Sequence, residues 1–214
     1  FYYLANHTIT MKQVLFGLGD GILYSLLLVT VVPWFLQRNQ LELEKSYTLF
    51  LEDTYPLVQD IRHYSLAEYN HGKRVSRLAG VCADEIGANV PCAMMAGFYY
   101  RLGKMEGEPE IDNALRLANN HCFPMDVMAI MEEYGGILRL PQTPESAIVH
   151  MVDALVTKIE LLDQDTMSST WNQDMVIYQT LNELSQNGMY DEAGISINQF
   201  LHIREKLVRE DSLL

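Results

Sequence analysis

From residue 14 to residue 36 nearly every position is apolar, and Asp20 is the sole charge in the run VLFGLGDGILYSLLLVTVVPWFL. At 1.5 Å per residue, about 23 residues reach across the hydrocarbon core of a bilayer. The run therefore predicts a transmembrane helix, with the buried helix of a soluble core as the alternative. Asp20 stands near its N-terminal end, where a charge costs less than at mid-membrane. Trp34 and Arg38 have the make-up of an interfacial anchor. No small-x-small site follows, which argues against a cleaved leader. Lys12 and Arg38 are too balanced as flanks to orient the span.

Beyond Arg38 the pattern turns amphipathic. Leu43, Tyr47, Phe50 and Leu51 recur at helical spacing and Pro56 interrupts them, which predicts two connector helices over 39–64. From Leu66 to Ile86 a stronger stripe (Val75, Leu78, Ala79, Cys82, Ile86) predicts a helix closed by Gly87. Pro91, Glu110, Pro124 and Pro144 open further helical patterns, the last running through Leu162. Two more helices are expected at Trp171–Gln186 and Ser196–Arg209, with Ser196 as N-cap. No period-2 run and no internal repeat interrupts this order. The expectation is an all-α chain: a hydrophobic segment over 1–38, a connector over 39–64, and a helical domain over 65–214.

Composition narrows the partners. The 214 residues carry a net charge of −13, and no basic tract is interleaved with aromatics. A nucleic-acid polymer is therefore not an expected partner. A small anion in a local pocket remains compatible, because pocket charge and net charge are separate quantities. Cys82, Cys92 and Cys122 lack CxxC spacing, so buried thiols in a reducing compartment are expected. His63, His121, His150 and His202 show no ligand spacing with one another, and His7 precedes the domain. Asp163-x-Asp165 and Glu132-Glu133 read as helix-end solvation, and the methionines at helical spacing as core filling.

Two residues carry candidate metal chemistry. His71 lies early on the Leu66 helix, and Asp153 lies among apolar positions midway along the Pro144 helix, where a carboxylate needs a partner. Between them in sequence stands Gly97-Phe98-Tyr99-Tyr100-Arg101-Leu102-Gly103-Lys104-Met105. This frame resembles the metal-binding turn of HD-domain phosphohydrolases, which reads His-Asp where this chain has Tyr100-Arg101. The collinear set is similar to the cytoplasmic domain of the seven-transmembrane HD family of bacterial cyclic di-AMP phosphodiesterases. It comprises the apolar run through Phe35, Tyr69-x-His71-Gly72, GFYYRLGKM, ALRLANNHCFPMDVMAIMEEYGG, PESAIVHMVDALV, and the C-terminal pair of helices.

The resemblance implies a metal-dependent phosphodiesterase fold, a cytoplasmic position for the domain, and an anchor in a bacterial cell membrane. It also exposes departures. The family's His-His pair falls on Glu133 and Tyr134, and a further ligand histidine falls near Glu110. Only His71 and Asp153 match ligand positions, and two ligands rarely hold Mn²⁺ or Fe²⁺ tightly. A guanidinium at Arg101 repels the ion that a carboxylate would have held.

The expectation is a catalytically inactive HD-type domain with a nucleotide-sensing or regulatory role, in which Glu110, Glu133 and Asp153 surround Arg101. The alternatives are an atypical Mn²⁺-, Fe²⁺- or Mg²⁺-dependent cyclic dinucleotide phosphodiesterase using Lys104 and Arg101, and a structural homodimerisation module. A cyclic dinucleotide or another small phosphate is the ligand class implied, with Lys104 as its contact or else as a solvated lysine.

Overall fold

A computed structural model describes residues 11–164, 172–186 and 188–210, and among them there is no strand. The side chain of Lys12, together with His7, Asp165 and Trp171, lies outside the described residues. The chain divides into two compact units after Ser46.

Helix α1 runs from Met11 to Phe50 and continues through Pro33. Within it, Gly19–Arg38 has a mean hydropathy of 1.6, and none of the window is buried within the chain. It is the one candidate span by length and composition among the described residues. The Arg38 guanidinium lies 5.8 Å from the centre of the Trp34 ring, within reach of a cation–π contact.

The second unit begins earlier than the expected domain start at residue 65. Tyr47, Phe50, Leu57, Val58 and Ile61 are all buried, so the stretch expected to be a connector instead supplies core. Helix α2 (Pro56–Tyr64) begins on its proline and ends at Ser65, which reverses role to cap α3 (Leu66–Ile86). Gly87 takes a left-handed conformation, φ 72°, and closes α3 as its spacing predicts.

Helix α4 (Val90–Tyr99) is capped by the Asn89 side chain, and a short 3-10 turn (Leu102–Met105) follows. Helices α5 (Glu110–Asn120) and α6 (Met125–Glu132) come next, then α7 (Pro144–Gln164), α8 (Gln173–Ser185) and α9 (Ile197–Val208). A full capping box, Ser196 with Gln199, starts α9.

Helices α3, α4 and α7 form the centre of the unit. Val75, Leu78 and Cys82 of α3, Met95 and Ala96 of α4, and Ile148, Val152 and Leu155 of α7 are buried in one cluster. Gly72 lets α3 approach α4 closely, since a Cβ there would lie 2.7 Å from the Phe98 carbonyl oxygen. Gly103 is tighter still: a Cβ would fall 1.9 Å from the Glu110 carbonyl oxygen, so the 3-10 turn can pack on α5 only as glycine. The close approach of α3 to α4, with α7 packed on both, brings His71, Arg101 and Asp153 to one point. Of the three cysteines, Cys82 and Cys92 are buried and Cys122 is exposed, all as free thiols.

Candidate functional site

The Arg101 guanidinium grips Asp153 through two nitrogens, Nε–Oδ1 at 2.6 Å and Nη2–Oδ2 at 3.0 Å. Nη2 also donates to the Thr157 hydroxyl, which in turn donates to the Asp153 backbone carbonyl at 2.6 Å. The two charged side chains are each 14% exposed. This is the planar two-point recognition that arginine makes and lysine cannot.

His71 completes the arrangement from α3. Its Nε2 lies 2.9 Å from Asp153 Oδ1 and its Nδ1 lies 2.8 Å from Glu160 Oε2. The ring is 4% exposed and has a carboxylate at each nitrogen, which suits an imidazolium donating from both. Burial opposes charge on His71, but the bonds to Asp153 and Glu160 outweigh it and raise its pKa above the ordinary value of 6.5. Burial likewise opposes ionisation of Asp153, yet the bonds from His71 and Arg101 hold its pKa below the ordinary carboxylate range. Glu160 behaves the same way: burial raises its pKa, and His71 then brings it lower. Arg74 stands 3.6 Å from the other Glu160 oxygen.

The expected ring of three carboxylates around Arg101 is corrected by this geometry. Among the described residues Asp153 is its sole ion-pair partner. Glu133 is buried, but it accepts from the Gln142 backbone N–H at 3.2 Å and from the Ser146 hydroxyl. It ties the end of the loop and the first turn of α7 back to the end of α6 rather than pairing with the guanidinium. Glu110 begins α5 and lines a groove beside Tyr134.

Tyr100 is buried at 2% exposure; its hydroxyl accepts from the Gly135 N–H at 3.1 Å and its ring meets Tyr134 edge-on, with centroids 5.0 Å apart. Burial pushes the Tyr134 phenol up to about 12, with the Asp153 charge adding to it. Lys104 pairs with Glu68 at 3.3 Å. His71, Arg101, Lys104 and Glu68 line a cavity of about 20 Å³, enough for about one water and far too small for a nucleotide.

Glu160, Thr157 and Glu68 were not singled out in sequence. The first two had a signal available: Asp153, Thr157 and Glu160 recur at i, i+4 and i+7, one face of α7. Glu68 stands three residues before His71 on α3, the same kind of signal.

The metal implied by the resemblance does not fit these residues. Both nitrogens of His71 are committed, and the ring separates Asp153 from Glu160, so no single ion can touch all three. Among the described residues no three His, Cys, Asp or Glu side chains converge as a ligand set. The guanidinium already delivers positive charge to Asp153 in two-point geometry.

No family model matches the chain. A curated relative is the cyclic-di-AMP phosphodiesterase PgpH of Listeria monocytogenes, 22% identical over 95% of this chain and 36% of that protein. Ribonuclease Y of Finegoldia magna is 33% identical over 40% of this chain and 17% of its own length. The chain thus spans only about a third or less of the length of the curated relatives it matches. Among solved structures, the HD domain of L. monocytogenes PgpH superposes with a TM-score of 0.62 at 20% identity, covering 72% of this chain and 96% of that one. The same domain in complex with cyclic-di-AMP gives 0.63 at 19% identity, covering 73% and 96%.

Proposed function

We propose that this chain, whose helical domain has the HD-domain fold of PgpH, is a membrane-anchored HD relative that no longer hydrolyses phosphodiesters and serves a regulatory role in cyclic dinucleotide signalling. The carrying observation is the double grip on Asp153, by Arg101 through two nitrogens and by His71 through a third. These bonds take three of the carboxylate's roughly four lone-pair sites, the guanidinium beside it repels a divalent ion, and a metal-bound nucleophile cannot form without its ligands. The cytoplasmic position, the membrane anchor through Gly19–Arg38 and the link to cyclic dinucleotides are inferred from likeness to PgpH and from the apolar helix.

The small volume beside Arg101 and Lys104 favours an output made through protein contacts over a nucleotide seated at that point. The test uses the full chain in detergent, purified with Mn²⁺ present throughout. Metal is quantified, and cyclic di-AMP is then offered in separate binding and hydrolysis assays. The expected result is substoichiometric Mn²⁺ and no linear product. Near-stoichiometric metal or measurable turnover overturns the reading.

A further inference from the structure

Beside Tyr134 lies a groove of about 220 Å³, walled by the segment Glu108–Asp112 and by Tyr134, Ile137 and Leu138. Its volume is below the ~300–1,000 Å³ typical of small-molecule sites, yet it admits one or two apolar side chains. Ile137 is 72% exposed and Leu138 62%. Large apolar side chains so exposed side by side mark interaction surfaces more often than isolated ones do.

The loop that presents these side chains is held at both ends. Tyr100 takes the Gly135 N–H, and the Glu133 carboxylate takes the Gln142 N–H and the Ser146 hydroxyl. Glu133 is buried. A loop pegged this firmly exposes Ile137 and Leu138 as part of a fixed surface.

The opposite wall is acidic. Glu108 and Asp112 are exposed and Glu110 half-buried, while no lysine or arginine lines the groove. Glu110 and Asp112 sit in the first turn of α5, where the helix dipole favours carboxylates. That accounts for two acids but not for the apolar pair facing them.

We propose that this groove docks a segment of another protein that presents an apolar side chain flanked by lysine or arginine. Carboxylates beside an apolar floor complement that chemistry in both respects. They repel a phosphodiester, which disfavours a cyclic dinucleotide or a lipid phosphate as occupant. A second copy of this chain is disfavoured by mutual repulsion at −13 each. The proposal stands whether or not the Arg101 site hydrolyses anything.

The test uses the full chain in nanodiscs of uncharged lipid and a short fluorescein-labelled peptide alternating lysine pairs with leucine pairs, read by fluorescence anisotropy. Saturable binding that weakens at least about tenfold in Ile137→Ser/Leu138→Ser is expected, the loss typical of apolar anchors at an interface. A similar loss is expected in Glu108→Gln/Glu110→Gln/Asp112→Asn, together with loss of salt dependence. Three acids neutralised elsewhere, Asp174→Asn/Glu183→Gln/Glu205→Gln, serve as the charge control and should leave binding unchanged. All these positions are exposed except Glu110, which is half-buried, so thermal melts should match wild type. Equal loss in both charge-neutralised proteins would reveal non-specific attraction and overturn the proposal. So would unchanged binding in the Ile137/Leu138 variant, or displacement of the peptide by cyclic di-AMP with those side chains intact.

Discussion

Replacing Arg101 by methionine keeps an unbranched stem about as long as the arginine's aliphatic part while removing the guanidinium, its charge and all its hydrogen bonds. Asp153, 14% exposed, would retain one partner in His71 but lose two bonds from Arg101. Removing one member of a buried ion pair costs ~3–5 kcal/mol. The surviving His71 bond puts this case near the lower end, at about 3 kcal/mol. For a domain of this size about 2–4 °C of melting temperature accompanies each kcal/mol, so a fall of about 6–12 °C is expected. Differential scanning calorimetry of the full chain in detergent measures it.

A companion variant, Asp153→Leu, and the double variant complete a thermodynamic cycle. The double variant should lose less than the sum of the singles, by about 1–3 kcal/mol of coupling. A fall below about 2 °C in Arg101→Met would match an exposed surface pair. Together with additive singles, it would refute the claim that this guanidinium is the internal counter-charge of Asp153.

His71 gives a pH prediction with a fixed sign. Its pKa is raised on folding, so its contribution is fully present below the ordinary 6.5 and is lost as pH rises through the higher folded value. Asp153 and Glu160 have lowered values, and their contributions fade only as pH falls below the ordinary carboxylate range. His150 runs the other way: burial lowers its pKa, so its contribution is lost as pH falls below 6.5. Subtracting the stability of His71→Asn from that of wild type, by urea denaturation across pH, removes the His150 background. The difference should shrink as pH rises above 7, and a flat difference would show that His71 is not charged in the fold. At Gly103, alanine would put a methyl 1.9 Å from the Glu110 carbonyl oxygen, so Gly103→Ala should cost about 3 kcal/mol or more, the upper end for overpacking. Retention of the wild-type urea midpoint would contradict the close approach of the 3-10 turn to α5.

The helices were legible wherever one apolar stripe was long enough to show a period. Leu66–Ile86 and Glu110–Asn120 have the bounds their caps and patterns predict, and Gly87 and Ser196 perform the capping roles read from them. The meeting of Arg101 with Asp153 was foreshadowed by the resemblance, which sets both at ligand positions of one site, and by the need of a carboxylate among apolar positions for a partner. Glu133 was not. Its partners, the Gln142 amide and the Ser146 hydroxyl, reach it only after the loop between α6 and α7 has turned back, and periodicity does not encode that path. The stretch 39–64 was read as connector because its composition turns charged directly after the apolar run. Yet Tyr47 reaches Asp126 and Tyr99 donates to the Phe50 carbonyl at 2.6 Å, contacts to residues scores of positions away. Such long-range partners decide burial, and local pattern does not contain them.

The positive charge beside Asp153 is covalently part of the chain. Stabilisation by a bound ion follows mass action, rising with the logarithm of free metal and vanishing under chelation. Arg101 is present at one per molecule whatever the supply, and its charge persists across the physiological pH range. On the proposed reading, in which Arg101 stands in for a metal, the fold around Asp153 is uncoupled from metal starvation, metal excess and the choice of one divalent ion over another. On that reading a cell could vary its manganese or iron content widely, and this corner of the protein would not register the change.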